Sequence, residues 1–377
     1  MFVSNIPLSF SANFYYWLLK GQKRTFRTYV KPTVAGTFAW RFEYHNQVDS
    51  TWDDGSISRA DMPGGHFSIL SAAVAACDER QNILSMHTAT FDGRETLDVH
   101  PCDQIISDPV TLTVAEGGYV MFSWCLMSME EKAILPGTPD SRALCYIAET
   151  EETTSPLSAL RMVEEDSDET SVLPNVWLAD RLIDRTCAFI GDSITQGCQT
   201  GLNMYEQWAA RIIRGLPTNV ASLNVGLGYA RAEDAARGGT WLKKLKGIDV
   251  VNVCLGVNDI FQMTSQNDHA DELTRNLESA VRRIKENTPH CRVVLFTVPP
   301  FSMPENEETV RERVNARIRE TGLGADAVFD MEILAVPGTR GTARFGEHPD
   351  GVGGAVAAGD YLSHFLPRNR HILFPEK

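Results

Sequence analysis

The sequence has no uninterrupted apolar run of about 18 residues, so it offers no candidate for a transmembrane helix. It has no excess of basic residues: 35 Lys and Arg stand against 49 Asp and Glu, a formal net charge of -14. Phosphate recognition needs clustered Lys and Arg, so the balance argues against a nucleic-acid partner and against docking on an anionic membrane. No C-x-x-C pair occurs among the eight cysteines at 77, 102, 125, 145, 187, 198, 254 and 291. Most sit in apolar strand-like runs, as Cys254 does in VVNVCLG. The expectation is free core thiols in a reducing compartment, not a disulfide framework or a zinc site. The first residues, MFVSNIPLSFSANFYYWLLKGQ, lack a basic n-region, and Asn5, Ser9, Ser11 and Asn13 interrupt any apolar h-region. They read as mature sequence with no signal peptide, hence an expected cytoplasmic location. No internal repeat is evident.

What is present divides in two. A length of 377 residues suggests about two domains. In the first part apolar residues alternate: Phe38, Trp40, Phe42 and Tyr44 share one strand face, and Val110, Leu112 and Val114 repeat the pattern. YVMFSWCLM and RALCYIAE add strands, and Asp53-Asp54-Gly55, Pro63-Gly64-Gly65 and Glu116-Gly117-Gly118 supply turns. Short strands with this punctuation predict an N-terminal antiparallel β-sandwich of jelly-roll-like type. An acidic stretch over 149–169 reads as a solvated linker. The expected domains are 1–178 for the sandwich and 179–377 for the remainder.

From residue 186 strands alternate with helical stretches. TCAFIGD, NVASLNVG, DVVNVCLGVND, CRVVLFTVPP and DAVFDM read as strands; ADELTRNLESAVRRIKEN is the clearest helix, with Leu273, Leu277, Val281 and Ile284 on one face. This alternation predicts a parallel sheet with helices on both faces, a three-layer α/β domain. Such sheets bind ligands beyond the carboxyl ends of their strands. Every notable polar cluster lies there. Gly191-Asp192-Ser193-Ile194-Thr195 follows the first strand, where a serine at a strand-to-helix turn sits beside backbone N–H groups. Asn224-Val225-Gly226-Leu227-Gly228 follows the second and Gly256-Val257-Asn258-Asp259 the third, while His348-Pro349-Asp350-Gly351 opens the last helix. Taken singly, Ser193 could be a helix cap, Asn258 a loop-stabilising residue and His348 a surface histidine. Trp52, with Asp53 and Asp54 beside it, reads as a turn, with a sugar contact as the alternative. The Gly351–Gly354 cluster follows no strand and is no dinucleotide fingerprint.

Together, and in this order, the four blocks resemble those of the SGNH (GDSL-type) hydrolase superfamily. The sandwich ahead of them resembles carbohydrate esterase family 2, whose members deacetylate sugars. The resemblance implies a flavodoxin-like fold for the second domain and a carboxylic ester hydrolase that needs neither metal nor cofactor. Ser193 would be the nucleophile and His348 the base that takes its proton. The oxyanion hole would comprise the Ser193 amide, the Gly228 amide (with Gly226 in reserve) and the Asn258 side chain. Asp192 and Asp259 would organise loops.

Two departures stand out. The family's aspartate three residues before the histidine is replaced by Phe345, which cannot hydrogen-bond an imidazole. A Ser-His dyad is expected, the ring held by a backbone carbonyl, with Glu347 and Asp350 as rival partners. The usual N-x-G-x-S-G spacing would place the glycine-block donor at Tyr229, whereas the nearest glycine is Gly228. The expected substrate is a short acyl ester, acetyl on a carbohydrate, met by variable loops such as 299–308. Alternatives are a lysophospholipase or thioesterase on the same scaffold, or a carbohydrate-binding protein with a degenerate site. A homo-oligomer is left open.

Overall fold

A computed structural model describes residues 1–49, 61–149, 160–164, 167, 169–261, 269–335, 343–344 and 348–374. Trp52, the Asp53–Gly55 turn, Phe345 and Glu347 lie outside the described residues, as does much of the acidic stretch. The chain divides into two compact units at Ile183/Asp184. The division falls after strand Val176–Asp180 and not within it, because that strand pairs antiparallel with Phe2–Ser4 and with Gly36–His45.

The N-terminal unit is built of antiparallel sheets. One sheet of five strands is centred on Gly36–His45, and one of seven strands runs through Lys23–Val30, Tyr119–Ser128 and Phe67–Cys77. Their inner faces meet through aromatic rings. Phe42 lies 4.8 Å from Phe122, and Tyr44 lies 5.2 Å from Trp124, measured between ring centroids. Trp40, Phe42 and Tyr44 are buried as the alternation predicts, and Phe38, near the strand's start, is only half-buried. Two of these rings have their polar ends satisfied: Tyr44 Oη donates to the Pro136 carbonyl (2.9 Å) and Trp124 Nε1 to the Val172 carbonyl (2.9 Å). Those bonds offset the cost of burying an amphipathic ring, whereas the buried Trp40 Nε1–H has no partner among the described residues. All eight cysteines are free, six of them buried.

The C-terminal unit carries a parallel sheet in the spatial order Val220–Asn224, Arg185–Gly191, Val250–Cys254, Arg292–Phe296, Ala327–Phe329. The second strand in sequence lies at the edge and the third lies on the other side of the first, the flavodoxin-like order. The connectivity therefore reverses beside Arg185–Gly191, which opens a crevice at that strand's carboxyl end. Helix Ala270–Asn287 buries Leu273, Leu277, Val281 and Ile284 as its 3.6-residue periodicity requires. The stretch after the second strand is broken into Ala232–Arg237 and Thr240–Lys243, since Gly238 and Gly239 both take positive φ. The last helix runs on beyond Gly351–Asp360 through a π-turn at Tyr361–Phe365 to Leu373.

Candidate active site

Strand Arg185–Gly191 ends in a one-turn helix, Ser193–Gln196. Asp192 caps it: its Oδ1 accepts from the Ile194 amide at 3.0 Å. Gly197 closes it in the left-handed region, φ +102°, donating to the Ser193 carbonyl at 2.8 Å. This places Ser193 at the first helical position, where the backbone N–H has no partner within the helix. Its hydroxyl points to the histidine block. Ser193 Oγ and His348 Nε2 are 2.8 Å apart although 155 positions separate them in the chain.

His348 stands on a short bridge with Arg344 and just before helix Gly351–Asp360. Burial alone pushes its pKa down from 6.5 to about 4, so the ring is neutral at ordinary pH and Nε2 can accept a proton. Its Nδ1 is buried and has no hydrogen-bond partner among the described residues. No backbone carbonyl among the described residues meets it. Asp350 is not the orienting partner either: its Oδ1 accepts from the Val352 and Gly353 amides (2.9 and 3.0 Å), capping the helix. An aspartate at an N-cap satisfies orphan amides and the helix dipole together.

The glycine block approaches the nucleophile turn closely. A Cβ on Gly226 would lie 2.4 Å from the Gln196 nitrogen and 2.6 Å from the Thr195 carbonyl carbon, so only glycine lets the two backbones touch. The expectation that Gly228 supplies an oxyanion donor is corrected. The Gly228 N–H already donates to Gln196 Oε1 at 2.8 Å, because the buried Gln196 side chain needs a donor of its own. The Gly226 N–H is engaged as well, by Asn224 Oδ1 at 2.9 Å. Tyr229, where the usual spacing carries glycine, takes a positive φ of +66°, a conformation that favours glycine.

The third block follows strand Val250–Cys254. Gly256 turns it with φ +126°, and helix Val257–Phe261 then carries Asn258. One N–H of the Asn258 amide donates to the Ala230 carbonyl at 3.0 Å, which ties the amide to the glycine block and fixes its orientation. Asp259 accepts from the Ala232 and Glu233 amides (2.8 and 3.3 Å) at the start of helix Ala232–Arg237. Asp192 and Asp259 thus bind backbone and hold loops together. Burial pushes both up to about 7, against the pull of those amides.

Ser193 follows one strand of the parallel sheet, Asn258 follows its neighbour and His348 meets Ser193, and residues 189–355 match the model of the GDSL-like Lipase/Acylhydrolase family. The C-terminal unit is a GDSL-like lipase/acylhydrolase domain. Its chemistry is that of a carboxylic ester hydrolase. No curated protein matches the chain. Among solved structures, it is similar to a family two carbohydrate esterase from Clostridium thermocellum in complex with cellohexaose, at 14% identity over 98% of this chain and 99% of that one, TM-score 0.41. A family two carbohydrate esterase from Cellvibrio japonicus gives 11% identity over 97% and 96%, TM-score 0.38. The lipase/acylhydrolase from Enterococcus faecalis gives 22% over 52% of this chain and all of that one, TM-score 0.39. The GDSL-like domain contains two participants that motif reading did not single out. Gln196 binds the glycine block, and Phe301 packs against the histidine ring at a centroid distance of 4.9 Å. The signal for Phe301 was its place in the segment after the fourth strand, where the end of a parallel strand faces the crevice.

Proposed function

We propose that the protein is a serine esterase that removes a short acyl group, acetyl, from a carbohydrate ester. The observation that carries the reading is the 2.8 Å contact of Ser193 Oγ with a neutral His348 Nε2 at the crevice of the sheet. In this reading Ser193 Oγ attacks the ester carbonyl while Nε2 takes its proton. The tetrahedral oxyanion is met by the Ser193 amide and by the second N–H of Asn258. Collapse breaks the bond to the sugar oxygen, which leaves with the proton from Nε2. Water then attacks the acyl-enzyme, giving its proton to the same nitrogen, and acetate leaves as Ser193 recovers the proton.

The acetyl and carbohydrate assignments rest on the order of domains, a β-sandwich ahead of a GDSL-like domain. The chain's negative charge fits a neutral ester, which needs no electrostatic steering. The deciding experiment is a chain-length series of p-nitrophenyl esters with Ser193→Ala and His348→Ala beside the natural chain. Best activity on acetate, lost in both variants, is the expected result. Optimal activity at eight carbons or more points to a lysophospholipase or thioesterase, and no hydrolysis at all points to a carbohydrate-binding protein with a degenerate site.

A further inference from the structure

His348 has a partner at one nitrogen, Ser193, and none among the described residues at the other, yet a base must be held to within tenths of an ångström of its acceptor geometry. What the ring does have is an aromatic neighbour. Phe301, 6% exposed, meets His348 in a T-shaped contact at 4.9 Å and 75°. Phe261 meets Phe301 in turn at 5.2 Å and 72°. Phe261 ends the same one-and-a-half-turn helix that carries Asn258. We propose that Phe301 is the positioning residue of the His348 imidazole. The inference rests on the Ser193–His348 reading above.

Three observations support it. First, the loop that carries Phe301 is pinned. Asn315, fully buried, takes the Val298 amide (2.8 Å) and returns a bond to the Val298 carbonyl (2.9 Å), to which Arg311 Nη1 adds a third (3.1 Å). Thr297 Oγ1 donates to Asp330 Oδ1 and accepts from the Met331 amide, which locks the start of the loop. A ring on so fixed a loop is a firm wall. Second, the aromatic series Phe261–Phe301–His348 sets the base relative to the element bearing Asn258, so base and oxyanion donor share one reference. An edge-to-face contact has a preferred angle as well as a preferred distance, and so restrains ring rotation. Third, the downward shift of the His348 pKa has burial as its cause and no charge partner. Asp192, Asp259 and Asp350 bind backbone amides, and Glu206 accepts from the Gly201 amide at 2.9 Å. Glu347 lies outside the described residues.

The test measures kcat, KM and the pH profile of kcat/KM on p-nitrophenyl acetate with the full chain. In Phe301→Ala, water reaches the imidazole. The acid limb is expected to move up by about one pH unit or more toward the ordinary histidine value, with kcat down about tenfold and KM within about twofold. Phe301→Leu keeps an apolar wall but no ring edge: the limb stays low and kcat recovers in part. Phe261→Ala, which leaves Phe301 in place without its backing, lowers kcat in the same direction and serves if Phe301→Ala does not fold. A natural limb and natural kcat in both Phe301→Leu and Phe261→Ala would overturn the proposal. So would a loss in Glu347→Gln as deep as in His348→Ala, which would identify an acid partner. Failure of the underlying reading shows itself separately, as activity retained by Ser193→Ala.

Discussion

Gly226→Ala is the sharpest perturbation the site offers, because the added methyl meets backbone. The new Cβ would lie 2.4 Å from the Gln196 nitrogen and 2.6 Å from the Thr195 carbonyl carbon. Ordinary carbon contacts begin at about 3.5 Å, so the glycine block and the nucleophile turn must part by about 1 Å. Neither can yield by a rotamer change. The Ser193–Gln196 turn is fixed at one end by the Asp192 cap and at the other by Gly197. A displacement of about 1 Å between reacting groups costs about 100-fold in rate, or about 2.7 kcal/mol at 1.36 kcal/mol per tenfold. The assay is steady-state hydrolysis of p-nitrophenyl acetate, with thermal unfolding measured on the same samples. We expect kcat to fall about 100-fold while KM changes far less, in a protein that still unfolds cooperatively. A folded Gly226→Ala with kcat within threefold of the natural chain would refute the claim that this contact sets the geometry of the nucleophile.

Asn258→Ala removes one oxyanion donor and is expected to lower kcat by 100-fold or more, about 3 kcal/mol, with little effect on KM; a loss confined to KM would contradict the role. The acid limb of kcat/KM in the natural chain should fall near pH 4 and not near 6.5, because His348 must be neutral to accept the serine proton; a limb at 6.5 would contradict the burial argument. Linkage from the same residue has a definite sign. The unfolded chain binds this proton near 6.5 and the folded one near 4, so its contribution to stability is intact above 6.5 and is lost as pH falls through that window. Asp192 has the opposite sign. Its folded pKa of about 7 lies above the ordinary 3.8, so stability from this group is full below 3.8 and lost as pH rises through 7. Asp192→Asn should therefore gain in Tm over the natural chain between pH 5 and pH 8, and a difference that does not vary with pH would exclude a buried carboxylate as the cause.

Much of this architecture could be read along the chain because it is set by local periodicity. Alternation placed Trp40, Phe42 and Tyr44 inward, and the 3.6-residue repeat placed Leu273 through Ile284. The parallel order followed from strands alternating with helices. The four blocks were legible for the same reason: each is a short run at the end of one strand, and its backbone demands are local. Gly256 must turn with positive φ, and Asp192 must cap the turn it precedes.

What the residue order alone could not decide is where each polar group finds its partner. Gly228 and Gly226 look equivalent as donors until the tertiary structure shows Gln196 and Asn224 already engaging them. Asp350 reads as a partner for His348 until the helix that follows claims it as a cap. The ring at Phe301 reads as one more apolar residue in a loop until packing sets it against an imidazole 47 positions away. The sequence by itself determined the antiparallel character of the first unit, the parallel sheet of the second and the strand ends at which the polar blocks gather. The tertiary structure decided which of those residues are free to act, because a hydrogen bond or an aromatic contact across many positions depends on how separate strands and loops pack and not on the spacing along any one of them.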